Sequence, residues 1–274
     1  MPVDEKPKRL YKYQACSVRS LVNVKKRVLW FSKPSAFNDP FDCTLPLEYD
    51  FGQVTEAEWT KAYEFWRNEV GHRAEEFDRH YLTNGVPNEA FRQLLIPTVE
   101  QCLRTLSERA DSWGVACFSE KVDDILMWSH YSQNHTGFCL EFDTSFEPFD
   151  KVHKVYYQQE FPKLDLAPLL SAEFDPFLDA TITAKYKCWR YEREWRVIHK
   201  QSTKEFHLGV NALTGVYFGC GMPLDHQKLI CSLLAGSPTQ FYQMKMDTAR
   251  FAVHPTEVDY TPSGYGRQAP TGVE

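Results

Sequence analysis

Three observations predict an α+β fold that carries a helical insertion. Short runs rich in β-branched and aromatic residues recur from residue 10 to residue 253, turn-forming clusters separate them, and a block at about 53–110 switches to helical periodicity. Residues 1–274 are read as one domain holding that insertion, with a loose tail from about residue 261, where Gly and Pro collect.

The elements follow in chain order. Residues 10–14, Leu-Tyr-Lys-Tyr-Gln, read as a strand, Ser17 to Lys26 as a helix and residues 27–32 as a second strand. Pro34 to Asp42 is a turn-rich loop, with Phe37 and Phe41 as anchors; Asn38 and Asp39 within it suit either a ribose or the ordering of the turn. Thr55 and Glu58 spell a capping box, after which Trp59, Ala62, Tyr63, Trp66 and Val70 share one helical face. A second helical stretch extends from Asn88 to Leu106, kinked or split by Pro97. Next come a strand at 115–119, a helix opened by Asp123 or Asp124, and a strand at 137–142. Val152 to Tyr157 and Trp189 to His199 read as further strands, with a helix around 172–187 between them. Residues 216–219, a helix at 223–235 and an alternating strand at 241–246 complete the pattern, with 251–253 close behind.

Composition narrows the function classes. A net charge of -6 and a pI near 5.9 argue against a surface that grips duplex nucleic acid through a broad basic face, while a local basic patch stays compatible with both values. The eight cysteines are dispersed without a CxxC pair and no signal peptide is read, which predicts a reduced, cytoplasmic protein. No apolar run reaches the ~20 residues needed to cross a bilayer, so no membrane partner is expected. The aromatic content of 15% fits a pocket that stacks planar ligands. Neither a Gly-rich phosphate loop nor a Gly-x-Ser-x-Gly elbow is present. His130, His135 and Cys139 match no compact zinc spacing, and no metal is expected.

Two constellations carry chemistry. Glu192 and Glu194, two apart on the predicted strand, project to one face, and paired acids there can divide binding and catalysis. The same spacing fits a salt-bridged edge strand in which Arg190, Arg193 and Arg196 balance the acids. Ser129, His130 and Tyr131 offer a hydroxyl, an imidazole and a phenol to one cleft; the helix also has to bury Met127 and Trp128, and a histidine there serves equally as packing.

Taken with Leu10 to Tyr13, Leu29 to Ser32, Phe37 to Phe41, Cys117 to Glu120, Met127 to Tyr131, Gly137 to Asp143 and Trp189 to Arg196, the chain resembles a bacterial family called domain-of-unknown-function family 2971. More distantly it resembles ADP-ribosyltransferases, in which an early strand holds a nucleotide-binding residue, a middle strand ends in an aromatic-Ser element before a helix, and a late strand carries the catalytic Glu. That resemblance implies a split, mixed or antiparallel sheet and NAD as substrate. Lys12 or Tyr13 would take the first position, where the family's usual residue is His or Arg. Phe118-Ser119 with Ser129 and Tyr131 would form the middle motif, and Glu194 would stabilise the charge that develops when nicotinamide leaves. Tyr131 or Tyr13 would stack the leaving ring, and Glu192 would position or deprotonate the acceptor.

The expected activity is ADP-ribosyl transfer to an unknown macromolecule, protein or nucleic acid, as a bacterial toxin or antiphage effector with an antitoxin or regulatory protein as a further partner. Two rival expectations are a non-catalytic nucleotide- or partner-binding module, and a metal-independent hydrolase or nuclease using His130 with Asp39 or Glu194.

Overall fold

The computed structural model describes residues 5–44, 50–162, 181–261 and 264–265, which fall into two compact units. The first comprises residues 1–33, 114–155 and 187–274, and the second residues 34–113 and 156–186. In chain order the first half contains β1 (Arg9–Gln14), α1 (Val18–Lys26), β2 (Val28–Phe31), α2 (Glu56–Glu69), α3 (Ala74–Tyr81), β3 (Leu82–Thr83), β4 (Val86–Pro87), α4 (Glu89–Ser112), β5 (Gly114–Ser119), α5 (Ile125–Tyr131) and β6 (Phe138–Asp143). There follow β7 (Val152–Lys154), β8 (Tyr156–Gln158), β9 (Ala184–Tyr186), β10 (Glu194–His199), β11 (Lys204–His207), β12 (Leu213–Phe218), α6 (Leu224–Leu233), β13 (Gln240–Met246) and β14 (Val253–Glu257).

The first unit is built on an eight-stranded sheet in the order β14-β13-β12-β6-β1-β5-β10-β7. Every neighbouring pair is antiparallel except β12 and β13, so the α+β expectation holds. Alternation along β6 shows how the sequence makes two different faces: Phe138, Leu140 and Phe142 enter one core, while Cys139, Glu141 and Asp143 point to the other side. On the Phe142 face lie α1 and α6, through Val24, Ile230, Cys231 and Leu234, with Phe118, Phe142 and Phe149 packed ring against ring. The opposite face collects Tyr13, Cys139, Tyr217 and Met244 under Met127 and Trp128 of α5. The sheet is pinched at one place, because Tyr11↔Ser119 is the one pair joining β1 to β5.

The second unit takes in the predicted helical block. The capping box forms as read: Thr55 Oγ1 accepts from Glu58 N at 3.3 Å and Glu58 Oε2 accepts from Thr55 N at 2.7 Å. Trp59, Ala62 and Tyr63 bury against Phe77 of α3 and Phe91, Leu95, Val99 and Leu103 of α4. Asn88 opens α4 by accepting from Phe91 N at 3.2 Å. In the same unit Lys185 and Asp42 form a buried ion pair at 3.2 Å.

Several expectations are corrected. Pro97 does not split its helix, since α4 continues from Glu89 to Ser112 around it; its buried apolar face outweighs the hydrogen bond that proline removes. Residues 152–157 are two strands rather than one, broken at Val155, whose N–H donates to Glu194 O, while Tyr156 N turns to Thr183 O. The helix expected around 172–187 falls mainly outside the described residues, and its end is strand β9. Phe41, expected as an anchor, is 65% exposed. Most of the tail from residue 261 also lies outside the described residues.

The largest correction concerns Trp189 to His199. Lys187–Glu192 is a 3₁₀ turn, Arg193 is left-handed at φ 45°, and only Glu194–His199 is strand. Charged and aromatic alternation reads as strand, but this turn is held by hydrogen bonds to α5 that the alternation does not reveal.

Removing the capping oxygen with Thr55→Ala is expected to lower stability by about 1 kcal/mol, seen as a lower urea midpoint with the slope unchanged.

Candidate functional site

The pleat sets the site before any side chain is considered. Tyr11 is the Cα partner of Ser119, and Ser119 is the partner of Glu194, so three strands put one side chain each in a single row on one face. Tyr13 lies on that face one step along β1, under α5.

Glu194 is 4% exposed and Arg196, two residues on and therefore on the same face, is fully buried. Arg196 Nε donates to Glu194 Oε1 at 2.8 Å and Nη2 to Oε2 at 2.9 Å, a two-bonded fork that sets a cation against the carboxylate and fixes its plane. Glu192 does not project beside it from a common strand. Seated in the 3₁₀ turn and 3% exposed, it accepts from Tyr131 Oη at 2.5 Å through its carboxylate and from Ser119 Oγ at 2.6 Å through its main-chain oxygen. Arg193 then reverses the chain, and its carbonyl accepts from Glu120 N at 3.1 Å. Glu120, which the sequence reading did not single out, accepts from Trp195 Nε1 at 2.6 Å.

Helix α5 provides the roof. Asp124 caps it through Leu126 N at 2.9 Å, and Trp128 Nε1 ties it to the preceding loop through Val122 O at 2.6 Å. Tyr13 meets Trp128 edge-on at 5.2 Å and donates to Lys121 O at 2.8 Å; burial pushes its phenol well above the ordinary value, so it stays neutral. His130 is exposed and its Nδ1 lies 2.9 Å from Tyr191 Oη, so it serves as a strut between α5 and the 3₁₀ turn. The half-buried Ser129 hydroxyl makes no side-chain hydrogen bond among the described residues and can meet a ligand.

Lys12, Asn38 and Asp39 complete the expected set. Lys12 alternates to the other face beside Leu140, and its Nζ donates to Cys117 O at 3.0 Å across the pinch between β1 and β5. Desolvation lowers its pKa, opposed by the nearby Cys117 and Glu194. Asn38 and Asp39 belong to the second unit, where Asp39 Oδ1 accepts from Phe41 N at 2.9 Å, as a turn-ordering aspartate does.

A polar aromatic strip on the Ser119 face was missed. Tyr217 Oη donates to Glu141 Oε2 at 2.6 Å, Thr214 Oγ1 to Glu141 Oε1 at 2.7 Å, and Arg9 Nε lies 3.3 Å from the same carboxylate. Tyr217 stacks on Tyr242 at 4.5 Å and meets Tyr11 edge-on at 5.9 Å. The signal was the period-two series Arg9, Tyr11, Tyr13, which puts all three on one face.

Arg196→Met deprives a buried carboxylate of two charged hydrogen bonds. The expected loss is about 3–5 kcal/mol in urea unfolding, and a loss below about 1 kcal/mol would show that Glu194 does not depend on the pair.

Comparison with known proteins gives one match. No curated protein and no solved structure matches the chain, and neither comparison joins it to ADP-ribosyltransferases. No helix among the described residues is long and apolar enough to cross a membrane. Residues 127–197, from α5 through the 3₁₀ turn into β10, match the family described as a protein of unknown function, DUF2971.

Proposed function

We propose that the protein binds NAD on the face carrying Tyr13, Ser119 and Glu194 and transfers its ADP-ribose, in the bacterial cytoplasm, to a protein or nucleic acid. One observation carries the reading: Tyr11, Ser119 and Glu194, far apart in sequence, stand side by side on three neighbouring strands. The likeness to ADP-ribosyltransferases calls for an early nucleotide-binding residue, a serine closing a middle strand and a late glutamate, in that order along the chain.

The chemistry suits these groups. As the ribose C1′–N bond breaks, its electron pair leaves with nicotinamide and positive charge develops on the sugar; an ionised Glu194 against the ribose hydroxyls lowers the energy of that state. The acceptor's nucleophilic atom then bonds to C1′ and loses its proton, the role the resemblance gives to Glu192. The half-buried Ser129 hydroxyl offers a hydrogen-bonding group for nicotinamide, while neutral Tyr13, buried against Trp128, supports the face from beneath. Such a transferase suits a toxin or antiphage effector restrained by an antitoxin or regulatory protein.

A non-catalytic nucleotide-binding module is the second reading. It is favoured by the burial of Glu194 and by the engagement of both its oxygens with Arg196.

Labelled NAD incubated with the protein and a cell extract separates the two. Transfer predicts nicotinamide release and labelling of an acceptor, both reduced at least about a hundredfold in Glu194→Gln, assayed at a temperature where circular dichroism shows the variant folded, since loss of the charge beside buried Arg196 lowers its melting temperature. Equal turnover by the variant would remove Glu194 from the mechanism, and binding without release would select the module.

A further inference from the structure

The opposite face of the same sheet carries a cavity of about 250 Å³, and nothing in the NAD reading uses it. Its walls come from β1, α1 and β2, with Leu140 of β6 closing one side. The chain that forms it is distinctive: between Lys6 and Lys33 there is no Asp or Glu, while Lys12, Arg19, Lys25, Lys26 and Arg27 all occur there, in a protein whose net charge is -6. No carboxylate lines the cavity, and Lys12 and Arg19 do. On β11, Glu205 is the partner of Trp30, and its charge is met by Lys26 at 3.4 Å; Glu194, on the other face, acts on Lys12 but does not line the cavity.

The polar groups around the cavity are suited to a ligand with both a charge and a ring. Exposed Arg19 lies 4.2 Å over the ring of half-buried Trp30, a cation seated on a flat face that a base can share or take over. Lys12 spends one bond on Cys117 O and keeps further donors. The amides of Gln14 and Asn23 line the wall without a side-chain hydrogen bond among the described residues, and each offers the donor and acceptor that a base edge requires.

We propose that this cavity is a second binding site, for a phosphorylated nucleoside, with Lys12 and Arg19 holding the phosphate, Trp30 stacking the base and Asn23 and Gln14 reading its edge. The phosphorylated nucleoside is either a free nucleotide or one residue of a single strand. The site stands independently of the NAD reading, because it lies on the other face and shares no side chain with Ser119 or Glu194.

Titration calorimetry on the full chain tests it, with adenosine 5′-monophosphate, inorganic phosphate and a single-stranded oligonucleotide of about ten residues as probes. The monophosphate is expected to bind at least about tenfold more tightly than inorganic phosphate, the difference coming from the stacked ring. Arg19→Glu and Asn23→Asp, both at accessible positions, are each expected to weaken it about tenfold or more while the melting temperature is unchanged. Tighter binding of the oligonucleotide identifies a strand as the source, and equal binding a free nucleotide; either supports the site. Wild-type affinity in both variants, equal affinity for inorganic phosphate, or no binding of any probe overturns it.

Discussion

Burying Glu194 and Arg196 next to one another on β10 is the constraint on which the rest of the first unit depends. Two charges taken out of water are tolerated only when geometry and surrounding hydrogen bonds are good, so the strand bearing them has to be fixed on both sides. β5 does so through the pairs Ser119↔Glu194 and Cys117↔Arg196, and β7 through Arg196↔His153. Before the strand, the left-handed Arg193 and the 3₁₀ turn fasten the approach, with Glu192 bound by Ser119 and Tyr131. Helix α5 therefore does more than cover apolar residues: it sets where β10 begins.

This arrangement also explains why Glu192 and Glu194, two residues apart, have different surroundings. Glu194 lies in a strand row against an arginine, whereas Glu192 is held by a phenol and gives its main-chain oxygen to a serine. A single left-handed residue between them breaks the period-two relation that would have made them equivalent.

The sheet's alternation gives the unit two chemically distinct faces. One presents the carboxylates of Glu141 and Glu194 together with tyrosines, of which Tyr13 and Tyr217 pack with Met127 and Trp128 of α5, and the other an apolar core edged by the basic segment of β1, α1 and β2. Lys12 and Tyr13 are neighbours in the chain, yet they serve opposite faces, so the two residues expected as alternatives for one position are divided between the two sides of the sheet.

Local chemistry determined much of this protein from its sequence. The capping box at Thr55 and the strand at β6 depend on residues within a few positions of each other and were legible, and the cap of α5 was narrowed to Asp123 or Asp124, of which the structure uses Asp124. What tertiary structure alone decided is every feature that joins distant segments. The row Tyr11, Ser119, Glu194 needs the strand order, which no local period encodes. The 3₁₀ turn at 187–192 has the composition of a strand and is turned by partners about 61 residues away, His130 and Tyr131, whose hydrogen bonds outweigh a weak β preference. Sequence thus supplied the chemical groups and their local geometry, and long-range pairing decided which groups meet.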